Sequence, residues 1–386
     1  MAQSDCKKKC YISILMVIVA VLSSVMGIMS PIVIMTFSSN YFVTFIMTFE
    51  FLIFFGFIWL VVVRNKSFPR LKWRTILELG ISNAFMAIFI LYSSDPSRTP
   101  PVMQSTLTAL SIIPTILIRC CVFGKNQIHF DKIFNVISII FLIGSVVVAG
   151  YPLVDNIGDI DLISIFWCVM YLTGICILSW YNVAQEKYVK ETETTTLNTT
   201  FREKLDNKII LSFFSRIPML IVIIFSFGCE YLLVFDNETS PLSRFNESFY
   251  EAFTQVEGAL ILQGFIFSYF LLFFSAIYLN GISTNYHMIL TVISNPMVAL
   301  FFTIFPSLNP GIQYPLWVTI TSLVLSISSV ILWIGGESQF SKKICRPKQS
   351  ESTIQEQLSE NLTGNFDDDE HYYSCKGVVR TYGEKI

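Results

Sequence analysis

Ten stretches of roughly 20 apolar residues, each closed by a polar break, run through this chain and decide its solvent before any motif is weighed. They extend from Tyr11 to Met35, Tyr41 to Val63, Thr75 to Tyr92, Val102 to Phe123 and Lys132 to Tyr151. They continue from Leu162 to Gln185, Ile209 to Phe235, Gly258 to Leu279, Asn285 to Phe305 and Tyr314 to Gly335. A hydrocarbon core about 30 Å thick takes about 20 helical residues to cross. Inside it every backbone polar group must be satisfied within the protein, so segments of this length are expected as helices. Composition agrees, with 53% hydrophobic and only 14% charged residues, where a soluble domain carries about 25% charged. The third stretch is short and carries Glu78, and only Thr36 to Asn40 turns the chain between the first two.

Lys7, Lys8 and Lys9 precede the first stretch, the pattern of a secretory signal. The apolar run exceeds a signal core of about 7 to 15 residues and no A-x-A-like site follows, so a retained helix is expected. Lys and Arg accumulate in cytoplasmic loops, which makes orientation a matter of counting. With the amino terminus inside, the inside segments and span edges hold 20 of these residues and the outside loops hold two, Arg98 and Arg244. Both termini are therefore expected in the cytosol, with residues 1–10 an amino-terminal segment and 336–386 a disordered tail that carries an acidic run at Asp367 to Glu370. Residues 186–208 then form a cytosolic loop and 236–257 a lumenal one. The lumenal loop holds two acceptors for N-glycosylation, Asn237 (N-E-T) and Asn246 (N-E-S). Asn65, Asn198 and Asn361 carry the same motif on the cytosolic side and should stay unmodified. None of the nine cysteines falls in an outside loop, so no disulfide framework is implied.

Ten spans divide into halves of five, 11–151 and 152–335, and an odd number per half requires the second to be inverted. Gln104 to Pro114 reads Q-S-T-L-T-A-L-S-I-I-P in span four, and Asn285 to Pro296 reads N-Y-H-M-I-L-T-V-I-S-N-P in span nine. Each opens on polar residues and reaches a proline after about three turns. The fifth helices of the two halves share small-xxx-small spacing, Ser145 to Ala149 and Ser322 to Ser326, which allows close approach. The fold expected is an all-α membrane protein of ten transmembrane helices in two inverted five-helix repeats.

The V-M-Q-S…L-S-I-I-P segment of span four, the S-T-N-Y…S-N-P-M-V-A-L segment of span nine and W-Y-N-V-A-Q-E-K-Y at Trp180 to Tyr188 resemble the drug/metabolite transporter superfamily, nearest its chloroquine-resistance-transporter-like family. The likeness covers about Tyr11 to Gly335. It implies a secondary carrier working by alternating access, with spans one to four and six to nine around a central cavity and spans five and ten at the periphery. It implies an endomembrane of vacuolar or lysosomal kind, as monomer or homodimer. Amino acids, short peptides, glutathione-like or cationic drug-like solutes are the implied cargo, moved with protons. The loop between spans seven and eight departs from the pattern in lacking paired cysteines, and Asn295 stands where relatives often have glycine before the proline.

The same residues carry a reading of their own. Prolines in mid-membrane free a backbone carbonyl, tolerable where protein or a wet cavity satisfies it, so Pro114 and Pro296 are expected helix breaks beside a cavity. Glu50 lies mid-span, where a carboxyl suits either proton coupling or a packed, paired role. Arg216 before Pro218 suits a substrate carboxylate or a side chain reaching for the interface. His287 is a second proton-coupling candidate or a structural residue. Asn83, Gln104, Ser105, Thr108, Tyr181, Asn182, Gln263, Asn285, Tyr286 and Asn295 can line a cavity or tie helices together. The 35 phenylalanines read as apolar filling.

No G-x-S-x-G, H-E-x-x-H, phosphate loop or Cys/His metal set is present, so neither an enzyme nor a cofactor nor a metal site is expected, and a net charge of −2 points to no nucleic-acid partner. A nucleotide-sugar carrier of the same superfamily would want paired lysines in mid-membrane, and only Lys132 touches a span edge. A channel or scaffold is the remaining alternative.

Overall fold

The computed structural model describes residues 2–63, 72–124, 133–155, 162–195, 201–233, 239–282, 284–308 and 314–344. Met1–Gly336 forms one compact unit and Glu337–Ile386 a second. Most of the second, including the acidic run, lies outside the described residues, as do Asn65, Asn198, Asn237 and Asn361.

The described residues are helical throughout, without a strand. In chain order they form α1 (Ala2–Thr36), α2 (Asn40–Ile58), α3 (Trp73–Ser93), α4 (Pro101–Ala109), α5 (Ile112–Phe123), α6 (Ile133–Asp155) and α7 (Leu162–Thr195). There follow α8 (Phe201–Phe225), α9 (Phe227–Leu233), α10 (Pro241–Thr254), α11 (Val256–Ile282), α12 (Thr284–Ile304) and α13 (Leu316–Ile344). Among these residues nine apolar stretches are long enough to cross a bilayer, Pro101–Phe123 counting as one. The tenth expected from the sequence, α12, contributes only the shorter apolar run Ile289–Ile304. That run covers described side chains alone, and α12 itself is a 21-residue helix that opens on Thr284, Asn285, Tyr286 and His287.

Lipid as solvent shows in which side chains face outward. Val147 is 68% exposed and Ile331 63%, while Ser145 and Ser329 on the same two helices are fully buried. A water-soluble bundle would invert that order. Small polar residues mark the contact between α6 and α13: Ser138 Oγ donates to Ser329 O at 2.7 Å, and a Cβ on Gly144 would meet Leu325 at 3.7 Å. Elsewhere α1 packs on α11 and α12, α3 on α7 and α8, α2 on α8, and α4 on α12.

Two spans differ from the simple rods expected. Span four is divided, because Pro114 has no N–H for the carbonyl of Leu110. The chain tightens there, with Ser111 N bonded to Thr108 O at 3.0 Å and Ile113 N to Leu110 O at 2.9 Å. Ser179 Oγ from α7 reaches the Ser111 carbonyl at 3.3 Å. Span seven breaks at Ser226 into α8 and α9, where Ser226 N is shared between Val222 O at 2.9 Å and Ile223 O at 3.0 Å. By contrast α12 runs through Pro296 without interruption, so that expected helix break is corrected to a proline held inside a continuous helix.

Residues 236–257, expected as a loop, contain α10. Ser240 Oγ accepts from Ser243 N at 3.2 Å to cap it, and Pro241 sits in its first turn. One face, Pro241, Arg244, Ser248 and Ala252, is buried, while Leu242, Phe249, Tyr250 and Phe253 are exposed. Such two-faced helices lie flat at a membrane interface. Asn246 is exposed on α10, but its sequon partner Ser248 is fully buried and accepts from Ser39 N at 3.0 Å.

Candidate functional site: a neutral polar cavity

A cavity of about 220 Å³ lies within the Met1–Gly336 unit. Side chains from α1, α2, α3, α4, α7, α11 and α12 line it; α6 and α13 contribute none. Among the described residues the wall has no Asp, Glu, Lys or Arg. It mixes aromatic and aliphatic groups (Tyr171, Tyr181, Tyr269, Phe265, Phe273, Met26, Met86) with neutral hydrogen-bonding ones.

Of the residues singled out in the sequence, Asn83, Gln104, Ser105, Thr108, Tyr181, Asn182, His287 and Asn295 meet at this cavity. Their polar groups differ in availability. The Gln104 amide is spent on the α3–α4 connection, donating to Ser94 O at 2.8 Å and Thr99 O at 2.6 Å. Ser105 bonds its own helix at Val102 O, 2.8 Å. Thr108 Oγ1 joins Tyr171 OH at 2.9 Å, a contact between α4 and α7. Asn295 Nδ2 is buried without a hydrogen-bond partner, which leaves a donor at the cavity wall. The side chains of Asn285 and Tyr286 lie outside the described residues.

Three expected cavity residues are elsewhere. Gln263 Nε2 donates to Glu50 Oε1 at 2.7 Å on the outward face of α2 and α11, so both are corrected from cavity to surface. Neighbours on that face, Phe49 and Ile53, are exposed as well. The cause is angular: at 100° per residue, depth in a span says nothing about the face a side chain takes. Arg216 is fully buried but sits behind the wall rather than in it. Its guanidinium lies 4.1 Å from the Phe273 ring centre and 5.0 Å from that of Phe51.

The sequence reading missed Asn280, which ties the cavity's α7, α11 and α12 sides together. Its Nδ2 donates to Asn182 Oδ1 at 3.0 Å and Gln185 Oε1 at 2.8 Å, and its Oδ1 lies 3.0 Å from His287 Nδ1. An amide one residue beyond the expected end of span eight was the available signal. Below this hub, Glu186 is fully buried and collects Lys190 Nζ at 2.6 Å, Arg119 Nη2 at 3.3 Å, Thr284 N at 3.2 Å and the Thr284 hydroxyl. That cluster fastens α5, α7 and the start of α12. At the opposite end Arg98 donates to Tyr92 O at 2.6 Å and lies 4.3 Å from the Trp167 ring centre, and the Tyr92 hydroxyl donates to Glu230.

Fold and site together define a helical, apolar, multi-span protein with a small neutral-polar cavity between its helices. No family model and no curated protein matches the chain. Solved structures do match by shape. One, described as "Crystal structure of protein", superposes with a TM-score of 0.52 at 12% identity, covering 82% of this chain and 96% of that one. Identity that low speaks to the fold alone.

Proposed function

We propose that this chain is a secondary carrier, not an enzyme, that moves a small organic solute across an endomembrane by alternating access. The observation that carries the reading is the cavity, neutral in its described lining, walled by helices from both halves of the chain and flanked at each end by a polar cluster. Small-solute sites are concave, mostly apolar and supplied with a few placed polar groups, as here.

Ten spans in two inverted repeats fit the packing. An operation that exchanges the halves maps α4 with α5 onto α12, α6 onto α13 and α2 onto α8, and each of these pairs is in contact. The same operation turns the α1–α11 contact into the α7–α3 contact, and both are present. A rocking motion of one half against the other would open and close the Glu186 cluster and the Arg98 cluster in turn. With both termini cytosolic, Glu186 closes the cytosolic side. A nucleotide sugar would meet no lysine in the lining, which favours a smaller cargo of the chloroquine-resistance-transporter-like kind.

Purified protein in vesicles tests this directly. Uptake of a labelled solute should saturate and should be accelerated by the same solute loaded inside; flux linear in concentration and indifferent to the far side would point to a channel, and none for any solute to a scaffold.

A further inference from the structure

Arg216 is the buried charge that the cavity does not account for. It is 1% exposed on α8, and its Nη1 lies 3.0 Å from Met219 Sδ, an indifferent acceptor. Its Nε and Nη2 have no hydrogen-bond partner, and no carboxylate pairs with it among the described residues. Two acids of the same helix bundle have other partners: Glu186 binds Arg119 and Lys190, and Glu50 accepts from Gln263. Phe51, Phe55 and Phe273 ring the guanidinium at 5.0, 6.0 and 4.1 Å. Cation–π contact offsets part of the cost of an unpaired cation in a hydrocarbon layer, but leaves planar donors unused. Phe273 also lines the cavity, and so do Tyr181, whose ring centre is 6.2 Å from that of Phe273, and Tyr269, 5.4 Å from that of Phe51. One aromatic ring therefore separates an unsatisfied guanidinium from a cavity with no acid among its described wall residues.

We propose that Arg216 anchors an anion subsite opening off the cavity at Phe273, and that the carried solute is a small organic acid whose carboxylate docks there. This rests on the carrier reading and narrows its cargo. A guanidinium matches a carboxylate with two parallel hydrogen bonds, and the aromatic wall suits an apolar body behind the acid group. Cationic drug-like solutes are disfavoured, since they would approach an uncompensated positive charge. Turning the Phe273 side chain is the motion required, and it exchanges a cation–π contact for a charge-assisted pair.

The experiment compares phenylacetate with phenylacetamide, and acetate with chloride, as ligands of the purified full-length protein, by thermal stabilisation and by counterflow of labelled phenylacetate in vesicles. The acid should bind about 10- to 100-fold more tightly than its amide. Arg216→Met should abolish that difference and Arg216→Lys should keep part of it. Equal binding of acid and amide by the unaltered protein overturns the subsite without any variant being folded. Unchanged discrimination in Arg216→Met does the same and leaves Arg216 a packing residue. Chloride stabilising as well as phenylacetate would overturn the organic-acid assignment. Arg216-dependent acid binding without counterflow would keep the subsite and sink the carrier reading. Counterflow of amides or cations alone would keep the carrier and sink the subsite.

Discussion

At the scale of single residues, the buried charges among the described residues are few and mostly committed. Glu186 is the clearest case, a fully buried carboxylate holding Arg119, Lys190 and the first turn of α12. Removing one partner of a buried ion cluster strands the others. Glu186→Ala is expected to lose about 3 to 5 kcal/mol, read as a lower apparent melting temperature in detergent, with Glu186→Gln intermediate because it still accepts from Thr284. His287, unlike Glu50, meets the cavity and contacts Asn280, so a proton-coupled form of the proposed carrier would be tested there. His287→Gln should leave counterflow intact while an imposed proton gradient no longer drives uptake; retained gradient dependence would move coupling to another group. Glu186 stood in the sequence only as part of the Trp180–Tyr188 segment, and Asn280 not at all. Nothing in a single span says which polar groups from three separate helices converge.

Elements differ in how closely they must approach. A Cβ on Gly80 of α3 would stand 2.5 Å from Ser215 O and 2.4 Å from Pro218 Cγ of α8, so the two backbones touch through glycine. Gly80→Val is expected to destabilise by about 1 to 3 kcal/mol by overpacking. Gly150→Ala, where an added carbon meets nothing within 4 Å, serves as the control and should be neutral or slightly stabilising. The divided fourth span makes a different demand. Pro114→Ala restores an N–H for Leu110 O and lets α4 and α5 merge, so stability should hold or rise while solute turnover in vesicles falls; unchanged turnover would make the break a passive feature. Periodicity and length made most helices legible, because apolar runs follow from bilayer thickness. They hid α10, whose mixed composition reads as a loop, and they made Pro114 and Pro296 look alike although only one interrupts its helix.

At the scale of the whole molecule, the charge asymmetry of the loops predicts the orientation independently of the packing. Single-acceptor variants should take a glycan at Asn246 or Asn237 and at none of Asn65, Asn198 and Asn361, scored by a glycosidase-sensitive mobility shift. Since folding buries Ser248, modification at Asn246 must precede the docking of α10. A glycan on a loop expected to be cytosolic would reverse the orientation. By itself the amino-acid sequence determined that the chain is a helical protein built for lipid, and roughly where most of its apolar helices run, because these depend on local apolar length. It also picked out about half of the neutral polar residues that meet at the cavity. Only the tertiary structure decided that Glu50 faces outward, that Asn280 and Glu186 knit α5, α7, α11 and α12, and that Arg216 waits behind Phe273. Those outcomes turn on the rotation of each helix about its own axis, which packing between distant segments sets and no local pattern encodes.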